Sequence, residues 1–204
     1  METFRQNCSE MIDAKKEVED DFYRQQPMML GGIGPYFPCI NIDHFYSEPA
    51  THLVERYNAK KASLLDEGIS FEERIVYHGT YEESLETIFT NGFQIEKCGS
   101  RMQSHFGKGI YTSSRIVVAI YYCFGGVKPE NAYDFERGNH KLVACKILAV
   151  KEFKSFEYCY GWTPGQEYET FSYLSDDPRK SPQTVIYHDE NILPVFIVQT
   201  KEKK

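Results

Sequence analysis

From Leu142 to Val150 the chain reads Leu-Val-Ala-Cys-Lys-Ile-Leu-Ala-Val, a nearly continuous apolar run broken by one lysine. A strand apolar on both faces belongs in the middle of a sheet, covered above and below. The run is too short to cross a bilayer, and no apolar stretch in the chain approaches the roughly 18 residues a membrane span needs. The rest of the chain must therefore supply partners and cover for this strand.

Several segments qualify. Leu53–Leu65 predicts an amphipathic helix with Leu53, Tyr57, Leu64 and Leu65 near one face and Glu55, Arg56, Lys60 and Lys61 elsewhere. Gly68 ends it. Arg74–His78 reads as a short strand, and Thr80-Tyr81-Glu82-Glu83 fits a capping box with Thr80 as N-cap. The helix it opens carries Leu85, Ile88 and Phe89 and stops at Asn91-Gly92. Ile110–Thr112 predicts a strand, Ser114 a cap for a helix through Tyr122, and Thr184–Tyr187 and Leu193–Gln199 two late strands. This irregular alternation, strand-rich in the second half, predicts an α+β fold rather than a wound βαβ sheet. Residues 1–26 are polar, with a surface helix or loose extension around Met11–Phe22. Residues 27–50 are rich in Gly and Pro, giving loops with short extended pieces. We expect an N-terminal extension over residues 1–40 and one domain over 41–204.

The formal charge of −7 argues against a nucleic-acid backbone as partner. Six cysteines lie far apart with no CxxC pair, so no zinc site is expected. The first 20 residues lack the apolar core of a secretory signal, which makes the expected location cytoplasmic or nuclear, with reduced thiols. The 15 Tyr and 14 Phe serve either as core or as walls for a flat ligand.

Chemistry concentrates in a few places. His78-Gly79-Thr80 joins a strand to a helix, where a glycine lets a ligand approach the backbone; read alone, it is better taken as a turn with a satisfied histidine. Gly107-Lys108-Gly109 matches no phosphate-binding spacing and reads as a tight turn. Tyr111 and Tyr122 read alone as core aromatics. GxSxG is absent, and the adjacent pairs Glu82-Glu83 and Asp176-Asp177 do not make facing carboxylates.

The ordered set says more than its parts. Tyr77-His78-Gly79-Thr80, Asn91-Gly92-Phe93, Phe106-Gly107-Lys108-Gly109-Ile110-Tyr111, and then Tyr122-Cys123 resemble the catalytic domain of the PARP-type ADP-ribosyltransferases. Lys141–Leu148 and Thr184–Pro194 continue the pattern, while Val54–Lys60 and Glu73-Arg74 look like the helix and strand that precede the histidine. The resemblance covers about residues 40–200. It implies two packed, mainly antiparallel sheets flanked by helices, with a cleft for NAD⁺, and transfer of ADP-ribose to a protein acceptor, the chain itself included. It assigns His78 to the adenosine-side ribose and the Gly79 backbone to the nicotinamide amide. Thr80 and Tyr111 line the cofactor, Tyr122 stacks on the nicotinamide, and residues 93–106 cover it. A bulky residue at Gly79 is then expected to abolish NAD⁺ binding with the fold intact.

Two positions depart from the family. Gln183 falls where polymer-forming members carry a catalytic glutamate; an amide cannot take a proton near neutral pH, which implies a mono-transferase. Glu190 lies past the strand's end and is not its substitute. Ala119 replaces a serine that bonds the carboxamide; Ser113 or Ser114 would have to serve instead. Both departures also suit an inactive binding module of the same fold. A polymerase or a nucleic-acid modifier fits neither the charge nor Gln183.

Overall fold

The computed structural model describes residues 15–16, 18–20, 40–46, 48–98, 105–123, 140–157, 167–174 and 182–202. Among the described residues three helices, α1 (Thr51–Asp66), α2 (Glu82–Asn91) and α3 (Ile116–Cys123), and a helical piece at residues 15–16 and 18–20 accompany eight strands. The strands are β1 (Ile40–Tyr46), β2 (Phe71–His78), β3 (Ile110–Thr112), β4 (Lys141–Val150), β5 (Glu152–Ser155), β6 (Thr170–Tyr173), β7 (Gln183–Ile186) and β8 (Ile192–Glu202). They form two four-stranded sheets, β1-β8-β4-β2 and β3-β7-β6-β5. Every pairing is antiparallel except β5 with β6. The chain is thus α+β with mainly antiparallel sheets, as expected.

The apolar run is β4, buried along most of its length and held between β2 and β8 of the first sheet. Its two faces feed different clusters. Leu142 and Ala144 pack with α3, Val143, Cys145 and Ile147 with α2, and Leu148 and Val150 with α1. One residue, Lys151, then carries the chain from β4 of the first sheet to β5 of the second, with a left-handed backbone (φ 43°). The second sheet has its own core of Phe106, Phe171, Tyr173 and Val185. Arg74 of β2 reaches across to it, bonding Glu152 (2.5 Å) and Ser172 (3.0 Å).

Some sequence expectations change. Leu65 is 64% exposed, because the buried stripe of α1 runs through Leu53, Tyr57 and Leu64 and the helix has turned past the core by residue 65. The N-cap of α2 is Tyr81 rather than Thr80, without a side-chain cap. Residues 15, 16 and 18–20 are helical; the rest of the expected Met11–Phe22 helix lies outside the described residues. This segment is no loose surface piece at Val18, which is fully buried beside Tyr77, Ile116, Ala119 and Ile120. Among the described residues no helix is long and apolar enough to cross a membrane.

Leu53→Ala removes side-chain volume from a buried site and should lower the free energy of unfolding by about 2–5 kcal/mol. Leu65→Ala, one residue on from Leu64 but on the exposed side of the helix, should change it by less than about 0.5 kcal/mol. Equal effects in urea unfolding would contradict this orientation of α1.

Candidate active site

Strand β2 ends where the two sheets meet. Tyr77 exchanges both backbone hydrogen bonds with Ser113, just beyond β3, at 2.8 and 2.9 Å. The next residue, His78, places Nδ1 2.8 Å from the Tyr111 carbonyl oxygen. A carbonyl only accepts, so Nδ1 carries the proton and Nε2 is left as the acceptor of a neutral ring. Burial pushes the His78 pKa below its ordinary 6.5 and outweighs the opposing hydrogen bond to Tyr111. Phe93 meets the ring edge-on at 5.0 Å.

Gly79 follows. The helix facing it, α3, reads Ile-Val-Val-Ala-Ile-Tyr-Tyr-Cys and is apolar nearly all round, so it packs deep in the fold. A Cβ built on Gly79 would stand 1.8 Å from the Ala119 carbonyl oxygen and 2.9 Å from the Tyr122 Cβ. The glycine is therefore required by the protein's own backbone before any ligand arrives. The expectation that Gly79 can be enlarged with the fold intact is overturned. The backbone N–H of Thr80 points at the Cys123 thiol, which burial raises to about pKa 11 and which donates to the Lys141 carbonyl oxygen at 3.2 Å. Cys123 is thus a fixed thiol that clips the end of α3 to β4, not a nucleophile.

Gln183 opens β7 and is buried. Its Nε2 donates to the Tyr122 hydroxyl at 2.9 Å, while its Oε1 is buried without a hydrogen-bond partner. A buried orphan acceptor is costly and marks a place where a donor belongs. Just before the strand, the Pro182 carbonyl accepts from Ser113 Oγ at 2.6 Å. The Ser113 Oγ itself accepts from the Arg115 N–H at 3.1 Å, at the entry to α3. Ser113 is thereby committed to joining β7 to α3. Ala119 is buried and carries no hydroxyl, and Ser114 is exposed.

These contacts close into a ring: Gly79 against Tyr122, Tyr122 to Gln183, β7 to β3 through the pairing of Tyr111 with Val185, and Tyr111 back to His78. Tyr111 joins the ring by its main chain. Its hydroxyl accepts from the Phe106 N–H and donates to the Gly107 carbonyl, both at 2.8 Å, and its ring packs against the second sheet's core. It braces the turn entering β3. Of the expected covering loop, residues 99–104 lie outside the described residues; Phe106 is fully buried. Glu190 pairs with Lys60 at 2.9 Å, away from this ring. The side chains gathered here are a neutral imidazole, phenols and an amide. Such a set orients and desolvates a ligand, and none of its members is a carboxylate base.

A comparison with protein-family models matches residues 47–150, just over half of the 204 residues, to the poly(ADP-ribose) polymerase catalytic domain. A search of curated proteins finds no match. The matched stretch carries His78, Gly79, Thr80, Tyr111 and Tyr122, and Gln183 lies beyond it.

Gly79→Ala should destabilise the protein without any ligand present, by about 1–3 kcal/mol of overpacking. That corresponds to a drop of roughly 2–4 °C in Tm per kcal/mol for a chain of this size. An unchanged melt would show that Ala119 yields freely. The lowered pKa of His78 has a second consequence. Between its depressed value and 6.5 the unfolded state binds the extra proton, so stability is complete above pH 6.5 and falls as pH drops below it. His78→Asn should flatten that acid limb in denaturation measured from pH 7.5 to 5.

Proposed function

Because the chain belongs to the poly(ADP-ribose) polymerase catalytic-domain family, whose members use NAD⁺ as substrate, we propose that it transfers a single ADP-ribose unit from NAD⁺ to a protein acceptor. The observation that carries the single-unit reading is Gln183: an amide held to the Tyr122 hydroxyl, with its Oε1 buried and unbonded. A ribose hydroxyl is the kind of donor this orphan acceptor fits. With no carboxylate at this position, nothing on Gln183 takes a proton from the hydroxyl of a growing chain, so elongation lacks its base.

The remaining residues take roles as positioners. The backbone of Gly79 and the ring of Tyr122 hold the nicotinamide, Thr80 borders it, and His78 meets the adenosine-side ribose through its free Nε2. In the transfer step the bond from ribose C1′ to the nicotinamide nitrogen breaks, and nicotinamide departs with the electron pair. The acceptor's nucleophile bonds C1′, losing its proton to solvent or arriving already ionised. The transition state resembles an oxocarbenium ion, as in glycoside hydrolysis, and a site that twists and aligns the leaving group lowers its barrier.

A second reading keeps the fold and drops the chemistry: a module that binds a ligand or partner without turnover. Ala119 favours it, since no hydroxyl stands there and Ser113 is committed to Pro182. The missing hydrogen bond costs about 0.5–1.5 kcal/mol of ligand binding, roughly a two- to thirteenfold loss. That weakens NAD⁺ affinity without abolishing it, so transfer remains the favoured reading.

Incubation with labelled NAD⁺ separates these readings. A transferase of single units gives a sharp labelled band at the protein's own mass or at an added acceptor's. A ladder erased by a poly-specific glycohydrolase would refute single transfer. Absence of label in folded protein would leave the binding module. Gln183→Glu should raise NAD⁺ turnover without producing a ladder.

A further inference from the structure

The helix that carries Tyr122 is held from three directions. Ser113 fixes its entry to Pro182, and Cys123 fixes its end to Lys141. The third contact comes from the chain that precedes the family-matched stretch. Val18 is fully buried in the cluster formed by Tyr77, Ile116, Ala119, Ile120, Leu142 and Val198. It packs in the same cluster as Ala119, whose carbonyl oxygen presses on Gly79, and as Tyr77, whose backbone bridges to Ser113. Three residues earlier, the Lys15 ammonium lies 5.4 Å from the centre of the Phe196 ring on β8, a second anchor for the same segment.

We propose that Val18 is a positioning residue: the N-terminal helical segment wedges α3 against the end of β2 and sets the spacing between Gly79 and Tyr122. A close-packed interior transmits such a displacement, because its side chains have no free volume into which to relax. Neither Val18 nor Lys15 is placed to touch a ligand through its own contacts; they act through Ala119, Ile120 and Phe196. The consequence for catalysis rests on the transferase reading above, whereas the mechanical claim does not. The interior of the matched domain is completed by a residue in a segment whose composition is that of a solvated tail.

The test uses the full chain with Val18→Asn, Val18→Ala as a milder variant and Val18→Ile as the conservative rescue. Amide hydrogen exchange is followed by peptide in the absence of NAD⁺. The proposal expects faster exchange in peptides covering Tyr77–Thr80 and Ile116–Cys123, with β6 and α1 unchanged, and wild-type behaviour in Val18→Ile. Exchange that is unchanged in α3, or that rises uniformly through α1 and β6, overturns it, since the latter is loss of global stability. In the labelled-NAD⁺ assay Val18→Ala should raise the KM for NAD⁺ or lower kcat by roughly ten- to a hundredfold, the scale of a misplaced site. Wild-type protein without turnover would remove the transferase reading and leave the exchange result to decide the role of Val18.

Discussion

Two backbone hydrogen bonds between Tyr77 and Ser113 hold the molecule's two sheets edge to edge. Everything functional is arranged around them. The residue after Tyr77 is the site histidine, and the residue two before Ser113 is the tyrosine whose carbonyl that histidine bonds. Ser113 also spends its side chain on Pro182, which delivers Gln183. One backbone bridge therefore aligns β2, β3, α3 and the start of β7. Separate the sheets there and the histidine, the glycine and the glutamine lose their common frame, although each sheet would retain its own core.

The two sheets also meet by other means, and these differ in kind. Lys151 links β4 to β5 covalently, in a left-handed conformation that a non-glycine residue adopts only under constraint from its surroundings. Arg74 crosses the gap electrostatically, binding Glu152 and Ser172, and Ser172 hydrogen-bonds on to Thr184 at 3.0 Å. Thr184 in turn accepts from the Thr112 hydroxyl through its carbonyl. A chain of polar contacts thus runs from the middle of β2 to the strand that bears Tyr111. Partners on both sides hold Glu152 well into its ionised range, against the opposing effect of burial. Breaking such a network from one side leaves a partly buried charge uncompensated, which is why its cost exceeds that of any single hydrogen bond.

Much of this fold was legible in the sequence wherever periodicity was strong. The continuous run at 142–150 announced β4, and the strand at 110–112 was read to its residue limits. Gly92 marked the end of α2, where the backbone turns to φ 81°. Other elements left weaker traces. Strand β6 reads Thr-Phe-Ser-Tyr and is buried throughout, but its polar residues bury their hydroxyls against neighbouring strands and mimic a half-exposed strand or a loop. Strand β5 is four residues with two charges, which no pattern distinguishes from a surface turn. The ring around Gly79 was legible only as an ordered set of motifs. What the sequence could not carry was contact: that Gly79 touches Ala119, that Ser113 is committed elsewhere, that Tyr111 turns its hydroxyl to Gly107. Val18 shows the limit most clearly, since one apolar side chain among charges has no period to betray its burial.

The order of strands in the first sheet has a consequence for synthesis. Strand β8, at residues 192–202, lies between β1, at residues 40–46, and β4, so the earliest strand of the sheet waits for the latest. Contacts so distant along the chain carry a large loop-closure entropy and form slowly. As the chain leaves the ribosome, β2 and β4 can pair early, yet β4 keeps an open edge and β1 has no neighbour. Until residue 202 has been made, that edge is a template for strands of other chains. Between the making of β4 and that of β8 the nascent protein thus carries an aggregation-prone half-sheet, and the burden of shielding it falls on whatever chaperones attend its birth.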